Sequence, residues 1–185
     1  MLSLTEIKVG TKVEIEGDPY EVIWREHSKI GRGGAVLRTK IKNLRTGNLV
    51  SRTFQGRDTL READIGLKKA QYLYNEGENY NFMDPVSYEQ FSLSKVQLGA
   101  SATFLKEGTM VNTLIFNGDA INIDLPIKIE LKVVESPPAL RGNTADGGSK
   151  QVKLETGATI SAPLFIKVGD AVRVNTRDGK YVERA

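Results

Sequence analysis

Val111-Asn112-Thr113-Leu114-Ile115-Phe116-Asn117-Gly118-Asp119-Ala120-Ile121-Asn122-Ile123 decides the fold class. Two apolar, β-branched runs flank Asn117-Gly118-Asp119. An Asn-Gly pair between such runs is a strong hairpin signal, because both residues tolerate the positive φ of a tight turn. Working outward, the same pattern repeats. Val13–Glu16 and Tyr20–Trp24 flank Glu16-Gly17-Asp18-Pro19; Ala35–Leu44 and Leu49–Phe54 flank Arg45-Thr46-Gly47-Asn48. Gln71–Tyr74 and Tyr80–Met83 flank Asn75-Glu76-Gly77-Glu78; Val172–Asn175 and Tyr181–Glu183 flank Arg177-Asp178-Gly179. Short strands at intervals of roughly 8–12 residues mark an all-β protein. No segment has a helical apolar period, and Asp58–Asp64 is the one stretch that suits a short helical turn. Tyr72, Tyr74 and Phe82 alternate with polar neighbours and are expected in a barrel core.

At 185 residues the chain suits one or two ordinary domains, or three only if each is small. Two breaks favour three. Arg57–Gly66 interrupts the strand pattern where the composition turns from basic to acidic, and Asp124-Leu125-Pro126 ends a strand before the alternating run Ile127–Val134. The expected units are residues 1–63, 64–127 and 128–185. About sixty residues each is enough for a five-stranded barrel, and closing a sheet removes its exposed edges.

The net charge of +3 conceals a pattern. Residues 1–63 hold 12 Lys and Arg against 8 Asp and Glu, residues 64–127 hold 4 against 8, and residues 128–185 hold 10 against 7. Between Arg25 and Arg61 stand ten basic residues and two acids, Glu26 and Asp58. Such a stretch either attracts a polyanion through counterion release or is simply a solvated charged face.

Two glycine-rich segments are too long for hairpin turns. In His27-Ser28-Lys29-Ile30-Gly31-Arg32-Gly33-Gly34, three glycines surround Arg32, whose planar guanidinium suits phosphate, and Lys29 and Arg38-Thr39-Lys40-Ile41-Lys42 extend the positive surface. In Ser136–Ser149, Arg141 precedes Gly142-Asn143-Thr144, a set suited to RNA backbone or base edges. Each equally suits an ordinary solvent-exposed loop.

Catalytic and metal chemistry find little footing. There is no cysteine, which excludes disulfides and thiolate metal sites, and the one histidine, His27, reads as a strand residue at a loop base. Gly31-Arg32-Gly33-Gly34 lacks the lysine-serine/threonine ending of a phosphate-binding loop. No catalytic residue, metal or cofactor is expected. Mean hydropathy is −0.31, no apolar run approaches the ~20 residues of a membrane span, and Met1–Gly10 has no apolar signal core. A cytoplasmic protein with no membrane association is the expectation.

Over essentially its full length the sequence resembles the bacterial elongation factor P family. The resemblance rests on Tyr72-Leu73-Tyr74-Asn75-Glu76-Gly77-Glu78-Asn79-Tyr80-Asn81-Phe82-Met83 and on Gly10…Gly17-Asp18-Pro19-Tyr20-Glu21-Val22. It rests also on Lys150, Gly157, Ile160, Pro163, Ile166 and Gly169, followed by Val174–Tyr181. Val152 stands where the family usually has alanine, and Ala162 where it has valine.

The resemblance implies three small β-barrels in an L-shaped arrangement, a KOW-type N-terminal barrel followed by two OB-type barrels. It implies a monomeric, non-enzymatic factor that binds the ribosome, its RNA and proteins, between the P and E sites. There it promotes peptide bond formation at polyproline stretches by positioning the P-site peptidyl-tRNA. The tip at the peptidyl-transferase centre aligns with Arg32, flanked by Lys29, Gly31, Gly33 and Gly34. Many members carry a modified lysine there; arginine implies the branch in which an arginine rhamnosyltransferase extends the side chain. Arg141, Gly142, Asn143 and Thr144 align with a loop that approaches the E-site mRNA codon, with Asn143 in place of the usual aspartate. Two alternatives stand beside this: an elongation-factor-P-like paralogue with another ribosomal role, and a general RNA-binding barrel protein. The second needs exposed aromatics on a basic barrel face, and the acidic middle segment argues against it there.

Overall fold

The structure, a computed structural model, describes residues 1–29, 35–138 and 148–185. Its strands form three sheets, paired antiparallel throughout. The first holds β1 (Leu2–Ser3), β2 (Lys12–Ile15), β3 (Asp18–Lys29), β4 (Ala35–Asn43), β5 (Leu49–Gln55) and β6 (Thr59–Glu62), in the order β1-β6-β2-β3-β4-β5. The second holds β7 (Ile65–Glu76), β8 (Asn79–Met83), β9 (Gln90–Ser94), β10 (Met110–Phe116) and β11 (Asp119–Asp124), in the order β11-β10-β7-β8-β9. The third holds β12 (Lys128–Glu135), β13 (Ser149–Leu154), β14 (Thr159–Pro163), β15 (Ala171–Asn175) and β16 (Tyr181–Arg184), in the order β14-β13-β12-β15-β16. In both five-stranded sheets the two edge strands approach each other, curling the sheet round its own interior.

All five expected hairpins form. Asn117 and Gly118 have φ of 52° and 91°, the double positive turn that matches the twist of its flanking strands. Three expectations fail. Asp58–Asp64 contains strand β6 in place of a helical turn, because Leu60 pairs with Leu2 and Glu62 with Val13. A short helix, α1 (Lys95–Leu98), runs into a 3₁₀ segment at Gly99–Phe104. Ser94 and Gln97 cap it reciprocally, and Ser-x-x-Gln was its readable signal. Tyr72 and Phe82 are buried as expected, but Tyr74 is 47% exposed. A bulge between Tyr72 and Tyr74 inserts Leu73 and turns Tyr74 outward.

The sheets lean on one another. Leu44, Ala63, Phe116 and Ile121 form a buried cluster between the first and second. The second and third share a single core, in which Phe82, Leu98, Phe104 and Leu125 join Leu131, Val152, Leu154 and Ile166. A Cβ on Gly179 would come within 3.4 Å of the Phe104 ring, so the β15–β16 turn seats closely on the second barrel. Lys106 Nζ reaches Glu155 Oε1 at 3.1 Å across the same junction, and the Lys132 backbone N–H donates to that oxygen at 2.9 Å. Burial pushes the Glu155 carboxyl up, but these two donors outweigh it and hold the carboxyl below its usual range. Burial also raises the Tyr72 hydroxyl to about 12, so it stays neutral where it donates to Asn75 Oδ1.

Val152 and Ala162, the two departures from the family pattern, are both buried in this shared core. Val152 pairs with Ile160, and Ala162 lies one diagonal step away on the same face of the β13–β14 pair. A larger residue at 152 and a smaller one at 162 thus stand as neighbours on one buried face. Val152→Ala should destabilise by about 2 kcal/mol, the transfer of two methyl groups plus some cavity. Adding Ala162→Val should recover at least half of that, because neighbouring sites in one cavity couple. Urea unfolding of the two single variants and the double variant measures the coupling; strictly additive losses would count against the exchange.

Candidate nucleic-acid interface

The β3–β4 pair is the longest hairpin of the protein and sits on the most basic stretch of the sequence. On β4, Leu37, Thr39, Ile41 and Asn43 are buried while Arg38, Lys40 and Lys42 are exposed. Strict alternation of this kind places three cations on one face, roughly 7 Å apart along the strand. The inward polar groups are satisfied. Thr39 Oγ1 donates to the Arg52 carbonyl at 2.9 Å, and Asn43 Oδ1 accepts from the Arg45 and Thr46 N–H groups at 2.8 and 2.9 Å, closing the β4–β5 turn.

β2 pairs with β3 only over Asp18–Glu21, whereas β4 accompanies it to Lys29. Trp24–Lys29 therefore runs on for roughly 20 Å beyond the β2 ladder as an arm of the sheet that β4 and β5 still accompany, with Leu37 buried beneath it. The Arg25 guanidinium braces the arm's root by donating to the Ile7 carbonyl. Lys29, paired with Ala35, is the last described residue of β3, and His27 pairs with Leu37 as a strand residue near the loop base. Gly31, Arg32, Gly33 and Gly34 lie outside the described residues, as do Arg141, Gly142, Asn143 and Thr144. The structure brings the base of the first segment onto the basic arm.

One aromatic on this face was missed. Trp24 is 43% exposed, pairs with Lys40, and has the Lys40 ammonium 5.9 Å from its ring centroid. Counting alternation from Val22 would put Trp24 in the core, and the bulge at Ile23 defeats that count.

At the root of the arm, where the three sheets meet, lies a cleft of about 700 Å³. Glu21, Ile23 and Lys42 line it from the first sheet, Leu114, Asn122 and Asp124 from the second, and Thr176 and Arg177 from the third. Asn122 ties the walls together. Its Nδ2 donates to the Leu44 carbonyl at 3.1 Å and to the Gln97 carbonyl at 2.8 Å, while its Oδ1 accepts from the Ile123 N–H at 2.8 Å. Among the described residues no group of three or more His, Asp or Glu side chains could hold a metal ion, and no helix is long and apolar enough to cross a membrane.

Three family models match in series along this architecture. The elongation factor P KOW-like domain matches residues 3–60, the elongation factor P OB domain residues 66–123, and the elongation factor P C-terminal domain residues 129–184. The chain belongs to the elongation factor P family. Elongation factor P of Moorella thermoacetica is similar at 46% identity over 185 residues, and that of Synechococcus sp. (strain JA-3-3Ab) at 48% over 184; each match covers all of both chains. Translation initiation factor 5A from Methanococcus jannaschii has a similar fold. It covers 67% of this chain and 93% of its own, with a TM-score of 0.52 at 23% identity. The first sheet is thus the KOW-like unit and the second an OB domain, as the resemblance implied.

Asn122 links the OB unit to the Leu44 carbonyl of the first unit. Asn122→Ala should leave two part-buried carbonyls without their donor and cost about 1–3 kcal/mol. Asn122→Asp, isosteric but unable to donate from that position, should cost at least as much. Chemical denaturation reads the loss; a change below about 0.5 kcal/mol in both variants would show that the amide is not a tie.

Proposed function

We propose that this protein is a translation elongation factor that binds the ribosome beside the P-site peptidyl-tRNA and speeds difficult peptide bonds, polyproline above all. The observation that carries the reading is the serial match of three elongation factor P domains, with a basic β3–β4 pair on the sequence either side of the glycine-flanked Arg32. We divide the chain into functional units at residues 1–63, 64–127 and 128–185. The reading makes the factor non-enzymatic. Proline is a poor acceptor and donor, and holding the P-site tRNA in reactive geometry offsets orientational costs worth several kcal/mol. The ribosome supplies the chemistry, so the protein's task is reach and rigidity.

In this proposal Arg32 is the tip at the peptidyl-transferase centre and Lys29 lies at its base. Arg141, Gly142, Asn143 and Thr144 face the E-site codon. The acidic middle unit, with 4 basic residues against 8 acidic, faces protein or solvent because a phosphate backbone would repel it. Arg32→Ala should leave thermal unfolding unchanged and lower the rate of polyproline synthesis about 10- to 100-fold in a reconstituted translation system, since a lost positioning contact acts on rate. Full rescue by the variant would remove Arg32 from the tip role.

Arginine has no ε-amine to extend, and its guanidinium stays protonated and weakly nucleophilic. Lengthening the tip therefore requires an enzyme that activates a guanidinium nitrogen, and an arginine rhamnosyltransferase fits. Protein isolated from its native host should carry the added mass of one deoxyhexose, located on Arg32 by fragmentation. An unmodified mass together with full polyproline activity would mean the arginine is used bare.

A further inference from the structure

The exposed tryptophan of the first sheet is unexplained by the tip. Trp24 stands on β3 several residue pairs before Lys29↔Ala35, on the shaft of the arm. Large aromatics are normally buried, and alternation from the buried Val22 would bury this one. The bulge changes that. Val22 pairs with Ile41, Ile23 is the extra residue, and Trp24 pairs with Lys40, so the ring joins the outward face. Bulges re-aim side chains, and here the aim is onto the row of Arg38, Lys40 and Lys42.

The surroundings are built for a polyanion with a flat group. Arg38, Lys40 and Lys42 stand on one face against two carboxylates, Glu21 and Glu26. Arg38 meets Glu26 at 3.4 Å with both side chains more than half exposed, a pair weak enough to exchange for phosphate. Glu21 and Lys42 border the 700 Å³ cleft, so the face continues into the concave angle between the sheets. Across β5 the residues paired with Arg38, Lys40 and Lys42 are Thr53, Ser51 and Leu49; the exposed Leu49 stands at the far end of the row, and the residue beside Lys40 and the ring is Ser51, so the ring's own surroundings are polar.

We infer that Trp24 is a stacking platform for an unpaired RNA base, with Arg38, Lys40 and Lys42 neutralising the phosphates beside it. An indole accepts any base on its π-face, and cations spaced along a strand follow a backbone without reading sequence. The β3–β4 pair then carries an RNA contact of its own at Trp24, separate from the tip role proposed for Arg32. This inference rests on the RNA-facing reading of the first unit.

The protein's sole tryptophan makes the test direct. The full-length protein is titrated at low salt with an unstructured ten-nucleotide RNA and with a duplex of equal length, following intrinsic fluorescence and the anisotropy of labelled RNA. The single strand should quench Trp24 saturably and bind at least fivefold more tightly than the duplex. Trp24→Ala should weaken single-strand binding about 5- to 100-fold. Trp24→Phe should retain most of the affinity, and Trp24→Leu, which keeps bulk but has no ring, should behave like alanine. Equal affinity of Trp24→Ala and the parent overturns the inference, as does full affinity of Trp24→Leu. Quenching by ribosomes but by neither RNA points to a protein occupant and overturns it too. Polyproline rescue lost in Arg32→Ala while Trp24→Ala binds RNA normally sinks this inference alone; both variants behaving as the parent sinks the functional reading with it.

Discussion

A barrel of about sixty residues buries too small a fraction of its surface to be comfortable alone, and the rest of this structure follows from that shortage. The second and third sheets meet it by sharing one apolar core, so that Phe104 and Leu125 belong as much to Leu131 and Ile166 as to their own sheet. The first sheet meets it with a smaller cluster round Leu44 and Phe116, backed by the Asn122 amide. What began as economy of burial becomes mechanical coupling. Shared cores fix the segments relative to one another, as the proposed positioning role requires.

The two junctions differ in kind. Between the second and third sheets the contact is broad and apolar, with Lys106 and Lys132 converging on Glu155 at its edge. Between the first and second it is narrow, with the Asn122 Nδ2 hydrogen bond to the Leu44 carbonyl crossing it beside the Leu44–Phe116 cluster. Hydrogen bonds define angles more sharply than apolar contact does, because they weaken steeply when misaligned. The Asn122–Leu44 hydrogen bond thus adds an angular constraint that the apolar cluster beside it would lack.

Bulges do for side chains what the junctions do for sheets. At Ile23 and again at Leu73, one inserted residue reverses the face on which the following aromatic stands. Both reversals bring an aromatic out of a core. In the first sheet the aromatic arrives among cations. In the second, Tyr74 stands on the acidic unit, which holds 4 basic residues against 8 acidic.

Much of the fold was legible because its signals are local. Asn117-Gly118 demanded a tight hairpin, Leu37 to Asn43 alternated with a period of two, and the absent cysteines removed whole classes of chemistry. The basic segment round Arg32 was visible as composition, which is additive along a chain and needs no coordinates. The failures were the elements whose state depends on partners distant in sequence. Thr59–Glu62 is a strand because Leu2 and Val13 are waiting beside it. Asn122 is a tie because Leu44, 78 residues earlier and in the first unit, presents its carbonyl to it, while Gln97 of its own unit takes the other amide hydrogen. Trp24 is exposed because Val22 and Trp24 pair with the adjacent residues Ile41 and Lys40 of another strand, leaving Ile23 over. A sequence carries propensity and charge residue by residue, whereas register is a property of two strands at once, and only tertiary structure decides it.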